Sequence, residues 1–200
     1  GSLSSSEKPF TEKSPYKPSS PYSASKSSSD HLVQAWNKTF NTPTIITNCS
    51  NNYGPYQHEE KLIPKVITKA LLNEKIPIYG NGKNIRDWIF VDDHSDALIK
   101  VAQKGKSGET YNIGASQEYA NIDLVKEICV YLDSKVPKKN SYLNQIEFVE
   151  YRPGHDYRYA IDSGKIEKDL GWKPKVELKK GIMKTVDWYI KELNYSISSR

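Results

Sequence analysis

The chain has 200 residues, 26% of them charged, and its 29 basic against 24 acidic residues leave a net charge of +5. That length supports one sizeable core or two small ones. The positive charge is spread along the chain apart from short runs such as Lys173–Lys180, and with no basic stripe or recognisable module, a nucleic-acid partner is not expected. Cys49 and Cys129 lie far apart in apolar surroundings and read as buried thiols of a reducing compartment, not as a disulfide. No apolar run reaches the length of a membrane span and no signal pattern opens the sequence, so a cytoplasmic protein without membrane contact is expected.

Residues Gly1 to Ser20 are rich in Ser, Pro and Lys without apolar periodicity, which predicts a loop or a disordered lead-in, the first eight residues above all. Ser20 is a good N-cap and Pro21 suits a first helical position, so a helix is predicted over Pro21–Phe40. In it Leu32, Trp36 and Phe40 form an i,i+4 ladder for packing, with Tyr22, Lys26 and Val33 on a neighbouring stripe. Pro43–Cys49 is apolar and β-branched, a short buried strand, and the helix before it makes half of a βαβ crossover. Ser50–Tyr56 then reads as a polar loop at the carboxyl end of that strand, where open parallel sheets bind ligands.

A helix is expected within Glu59–Asn73, with Pro64 tolerated in its first turn. Two strands, Ile76–Tyr79 and Asn84–Val91, flank the turn Gly80-Asn81-Gly82 in the manner of a hairpin. Asp92 and Asp93 open a helix to Lys104, and Thr110–Gly114 is a strand. Asn121 is placed to cap a helix reaching Asp133, whose apolar face is Ile122, Val125, Ile128, Cys129 and Leu132. Ile146–Tyr151 and Arg158–Asp162 read as strands, Ser163–Leu170 as a short helix stopped by Gly171, and Leu178–Leu193 as a last amphipathic helix.

The first chemistry-bearing pair is Tyr22 and Lys26, four apart and so one turn from each other on one helical face. An ammonium beside a phenol favours the phenolate, a base able to take a proton from an alcohol while hydride leaves the same carbon. Taken alone, the pair reads first as a packed ring beside a solvated amine. His31, His58 and His94 have no ligand spacing with one another or with the cysteines, and no metal site is expected.

Context decides more. Pro21-Tyr22-Ser23-Ala24-Ser25-Lys26 is followed by Thr47-Asn48-Cys49-Ser50-Asn51-Asn52-Tyr53-Gly54-Pro55, by Arg86-Asp87-Trp88, by Glu109-Thr110-Tyr111-Asn112-Ile113-Gly114 and by Arg152-Pro153-Gly154-His155-Asp156. In that order and spacing, from about Phe10 to about Trp188, the chain resembles the dTDP-glucose 4,6-dehydratases of the extended short-chain dehydrogenase/reductase superfamily. The resemblance implies an α/β chain: the C-terminal part of a Rossmann-like doubly wound parallel sheet (1–58) plus a smaller α/β domain for the sugar nucleotide (59–200). It implies a lyase that uses bound NAD and takes dTDP-glucose to the 4-keto-6-deoxy sugar, and a homodimer when complete. Related NAD-dependent epimerases, GDP-mannose dehydratases, or a silent sugar-nucleotide-binding module are the alternatives.

Residue by residue, the resemblance makes Tyr22 the base, Lys26 its partner and a cofactor ligand, and Asn52 a neighbour of the nicotinamide. Asn51 would contact the sugar nucleotide, although asparagines in a Tyr-Gly-Pro turn also form turns for their own sake. Arg86 and Arg152 would hold the diphosphate through guanidinium forks, with His155 assisting, and Pro153 and Gly154 would bring backbone close to it. Lys61, Leu62, Pro77, Ile78, Tyr79, Asn121 and Tyr151 coincide with positions around the nucleotide, Asn121 being equally readable as a cap. The glycine fingerprint that cradles a dinucleotide pyrophosphate occurs nowhere in the chain, and neither does the family's Thr-Asp-Glu catalytic run. The expectation is therefore a recognition portion carrying half a catalytic site, with a sheet edge that the other half covers.

Overall fold

The computed structural model describes residues 2–4, 6–151 and 156–198, with side chains described as far as residue 193. Its helices are α1 (Pro21–Phe40), α2 (Leu62–Leu71), α3 (Val91–Lys104), α4 (Asn121–Lys135), α5 (Gly164–Leu170) and α6 (Leu178–Ser198). Its strands are β1 (Ile46–Cys49), β2 (Asn51–Tyr53), β3 (Ile76–Tyr79), β4 (Ile85–Phe90), β5 (Thr110–Ile113), β6 (Glu118–Ala120), β7 (Ile146–Val149) and β8 (Arg158–Tyr159). Most of the pairing is parallel: β1 with β5, β2 with β4, β3 with β7 and β8 with β4, while β6 joins β4 antiparallel. Among the described residues β1 pairs with β5 alone, which leaves its other edge open.

Strand β4 is the common wall of two cores. Side chains alternate across a strand, and here Trp88 and Phe90 enter one core while Ile89 enters the other. The larger core is built by α2, α4, α6 and β3, with Ile63, Ile67, Ile76, Leu124, Ile128 and Leu132 fully buried. The smaller one gathers Ala97 and Val101 of α3, Tyr111 and Ile113 of β5, and Ile166, Leu170 and Trp172 around α5. The apolar periodicities of α2, α4 and α6 thus point where their spacing says, and α5 ends at Gly171 in a left-handed conformation as expected.

Four expectations are corrected. The lead-in is pinned, not loose: Leu3 and Phe10 make bridges to Arg158 and Ile161, and Arg158 donates to the carbonyls of Ser4 and Glu7 while forking onto Glu118. Backbone-to-backbone pairing leaves no side-chain periodicity to read. The stretch after Cys49 is no loop, because Ser50 still donates to Ile113 and the chain then changes partner, so Asn51–Tyr53 pairs with Trp88–Phe90. No hairpin forms across Gly80-Asn81-Gly82, since β3 pairs with β7 and β4 with other strands. And the ladder on α1 enters no core of the described chain: Leu32, Trp36 and Phe40 are 62%, 56% and 63% exposed, with the Trp36 and Phe40 rings meeting each other at 4.8 Å.

Candidate active site

Local sequence builds α1 as expected. Ser20 accepts from the Ser23 amide through its side chain, and Pro21 opens the helix. Tyr22 and Lys26 both face solvent, with Tyr22 75% exposed. Lys26 lies near the carboxyl end of β1: burial pushes the Cys49 thiol up, against the opposing pulls of Asn52 and the Lys26 ammonium. Asn52 donates to Cys49 Sγ at 3.4 Å and to the Ser50 carbonyl at 3.3 Å. Its Oδ1 and the Ser50 hydroxyl are buried without a hydrogen-bond partner. A buried acceptor left unmade costs about 1–3 kcal/mol, so Asn52 is built to receive a donor such as a carboxamide N–H or a sugar hydroxyl. The cofactor's nicotinamide end fits that chemistry, with Tyr22, Lys26 and Asn52 as the residues that would hold it.

A second cluster surrounds the start of β4. Arg86 is 9% exposed and donates to the carbonyls of Ile85 and Asp156 at 2.7 Å each and of Tyr157 at 3.4 Å. Burial lowers its affinity for its proton, while Asp156 acts the other way. Its guanidinium therefore grips the backbone that follows Arg152–His155. Those four residues, Arg152, Pro153, Gly154 and His155, lie outside the described residues. Asn84 organises the rest: it donates to the Tyr151 hydroxyl at 2.6 Å and to the Asp156 carbonyl at 2.9 Å, and its own carbonyl accepts from the Asn121 amide. Sequence reading missed Asn84, whose one signal was a polar residue at the mouth of an apolar strand. Gly80, at φ +57°, lets the Tyr151 ring lie on the turn, since a Cβ there would sit 2.2 Å from it.

Asn121 is not a cap. Ala120 holds that position without a side-chain bond, and Asn121 Oδ1 is buried with no partner, a second acceptor awaiting a donor. Pro77 is half-buried and Tyr79 exposed on β3, whereas the Ile78 side chain turns into the core and only its backbone can meet a ligand. Lys61 precedes α2 and Leu62 begins it. Glu12, on the loop before α1, accepts from the Asn112 amide at 2.9 Å and so ties that loop to β5. A cavity of about 140 Å³ lies between that loop, Ser23 and Ser27 of α1, Asn48 and Tyr159. Ligand pockets are usually about 300–1,000 Å³, so this cavity alone does not enclose a sugar nucleotide. Among the described residues no group of three or more His, Cys, Asp or Glu could hold a metal, and no helix is long and apolar enough to cross a membrane.

Known proteins resemble this chain in sequence and in fold. The family model for GDP-mannose 4,6 dehydratase matches residues 1–185. A dTDP-glucose 4,6-dehydratase of Shigella flexneri is 59% identical over 186 residues, 93% of this chain and 52% of its own length. The crystal structure of dTDP-glucose 4,6-dehydratase from Bacillus anthracis in complex with NAD aligns at a TM-score of 0.88 and 45% identity, covering 98% of this chain and 60% of that one. DesIV, a dTDP-glucose 4,6-dehydratase from Streptomyces venezuelae with NAD and TYD bound, aligns at 0.88 and 40% identity, covering 98% and 58%. The chain spans about half the length of the curated relatives it matches. The resemblance read from the motifs is borne out, and the chain belongs to the GDP-mannose 4,6 dehydratase family.

Proposed function

We propose that this chain is the substrate-side portion of an NAD-dependent dTDP-glucose 4,6-dehydratase. The observation that carries the reading is the Asn52 side chain bound to Cys49 at the carboxyl end of β1, with its own acceptor buried and unpartnered. Held there by Tyr22, Lys26 and Asn52, NAD would supply the hydride acceptor and donor that the oxidation at C4 and the reduction at C6 require. Tyr22 takes the proton of the 4-hydroxyl, and Lys26, one turn on, stabilises the charge on the phenol oxygen and holds the cofactor ribose. Asn51 contacts the sugar. Arg86 and Arg152, with His155, face the diphosphate, and Lys61, Leu62, Pro77, Ile78, Tyr79, Asn121, Tyr151, Pro153 and Gly154 surround the nucleotide.

Elimination of water between C5 and C6 needs a carboxylate acid and base. Glu12 is committed to the Asn112 amide, which supports assigning those roles outside the described site and expecting no turnover from this chain alone. Residues 1–58 then belong with the cofactor domain and 59–200 mainly with the sugar nucleotide; Ile45 and Cys49 of the first segment pack on the smaller core, whose buried residues all come from the second. The unpaired thiols suit a reducing cytoplasm. The bare ladder Leu32, Trp36, Phe40 suits a second copy packing on α1.

The test is incubation of the chain with dTDP-glucose and NAD, followed by mass spectrometry for loss of one water. Binding of dTDP-glucose without loss of water is the expected result. Water loss would reveal an acid–base pair in the chain, and absence of binding would overturn the recognition role. In a complete enzyme, Tyr22→Phe should lower turnover by about 10²–10⁴-fold while binding is retained; full activity would remove Tyr22 from the chemistry.

A further inference from the structure

The segment from Tyr53 to Gln57, which follows Asn51 and Asn52 of β2, is strung along α6. At one end the Tyr53 hydroxyl donates to the Leu178 carbonyl at 3.4 Å, where α6 begins. At the other end the Tyr189 hydroxyl donates to the Gln57 carbonyl at 2.6 Å. Those two α6 anchors are roughly 16 Å apart along the helix axis, at 1.5 Å per residue. Gln57 passes the restraint inward, because its Nε2 donates to the Asn52 carbonyl at 2.7 Å. Between them Tyr56 is held at φ 61°, a left-handed conformation that a bulky residue seldom adopts. Such a conformation persists when its surroundings over-determine it. Here α6 supplies them: Trp188 lies 4.6 Å from the Tyr56 ring, and Tyr189 meets Trp188 edge-on at 4.7 Å.

We propose that Tyr189 is a positioning residue for the Asn51–Asn52 segment, acting through the Tyr189–Gln57–Asn52 hydrogen-bond chain. It sets where the amide of Asn52 presents its acceptor, and so how firmly the site takes a ligand carrying an N–H or O–H donor. Tyr189 itself is 7% exposed. That consequence rests on the functional reading above, whereas the mechanical link does not.

The experiment compares Tyr189→Phe with Tyr131→Phe in the 200-residue chain. Tyr131 also anchors α6, through a hydroxyl bond to Asp187 at 3.0 Å, but makes no bond to residues 51–57. Amide hydrogen exchange and calorimetric titration with dTDP-glucose and with NAD are the readouts. Tyr189→Phe should speed exchange over residues 52–57 by about tenfold and weaken ligand binding by about three- to tenfold, the factor one hydrogen bond commands. Tyr131→Phe should do neither. Gln57→Met, which removes only the inner link, should reproduce the loss of affinity. Unchanged exchange over 52–57 in Tyr189→Phe, or equal effects from Tyr131→Phe, would overturn the proposal. If the parent binds neither ligand while Tyr189→Phe still loosens 52–57, the functional reading fails and the positioning link stands.

Discussion

Helices α1 and α4 are both long and both read as amphipathic, yet they live differently. In α4 the 15 residues bury Leu124, Val125, Ile128, Cys129 and Leu132. In α1 the 20 residues bury none, and its three largest apolar side chains lie bare. The proposed base and its lysine therefore stand on the helix this chain clamps least, while the nucleotide side rests on the larger core.

The two cysteines report on that contrast, one beside each region. Cys129 is fully buried in α4, and burial with nearby Asp133 pushes its thiol up to about 12. Cys49, at the end of β1, is only half-buried. Since a buried thiol reacts only through opening, Cys49 should react with iodoacetamide faster than Cys129 by roughly a thousandfold or more. Comparable rates, read by peptide mass spectrometry, would mean the larger core opens as readily as the β1 edge.

Truncations probe the same contrast at smaller scale. Ile128→Ala should cost about 2–5 kcal/mol, because it leaves a cavity in a closed core. Leu32→Ala should change the stability of the monomeric chain by less than about 0.5 kcal/mol. Urea unfolding measures both. A large Leu32 effect at low protein concentration would show that the ladder is covered from within the chain, against the second-copy reading.

Much of the fold was legible because apolar spacing records burial. The faces of α2, α4 and α6 and the cap at Ser20 follow from side chains one by one. What escaped was carried by backbone or by polar side chains. The pairing of Leu3 and Phe10 uses main-chain atoms, and β2 is written Asn-Asn-Tyr, with no alternation to betray a strand. Asn84 works through three bonds to distant segments, a role its neighbours in sequence do not encode. Exposure of the α1 ladder was illegible for a different reason, since periodicity says which residues share a face and not what covers it.

The effect that varies with pH concerns Asp87, on the wall between the two cores. Its carboxylate is fully buried and accepts from the amides of Gln117 at 2.8 Å and Ala115 at 3.2 Å. Burial pushes this carboxyl above its ordinary range, and the backbone amides around it only partly oppose that. The folded state thus binds the Asp87 proton more tightly than the unfolded chain does. Its contribution to stability is fully present below the unfolded value of about 3.9 and is lost as pH rises through the folded value. Asp87→Asn removes this titration but also turns an amide N–H₂ toward one backbone donor, a cost that does not vary with pH. Parent and variant should therefore differ most at low pH, with the gap shrinking by no more than about 1.4 kcal/mol per pH unit as Asp87 ionises. Urea unfolding of both across that range measures the gap, and other carboxylates cancel because the two chains share them. A gap that stays constant would mean the amides already hold Asp87 ionised without penalty, and that the wall between the cores tolerates a buried charge as easily as α1 tolerates open water.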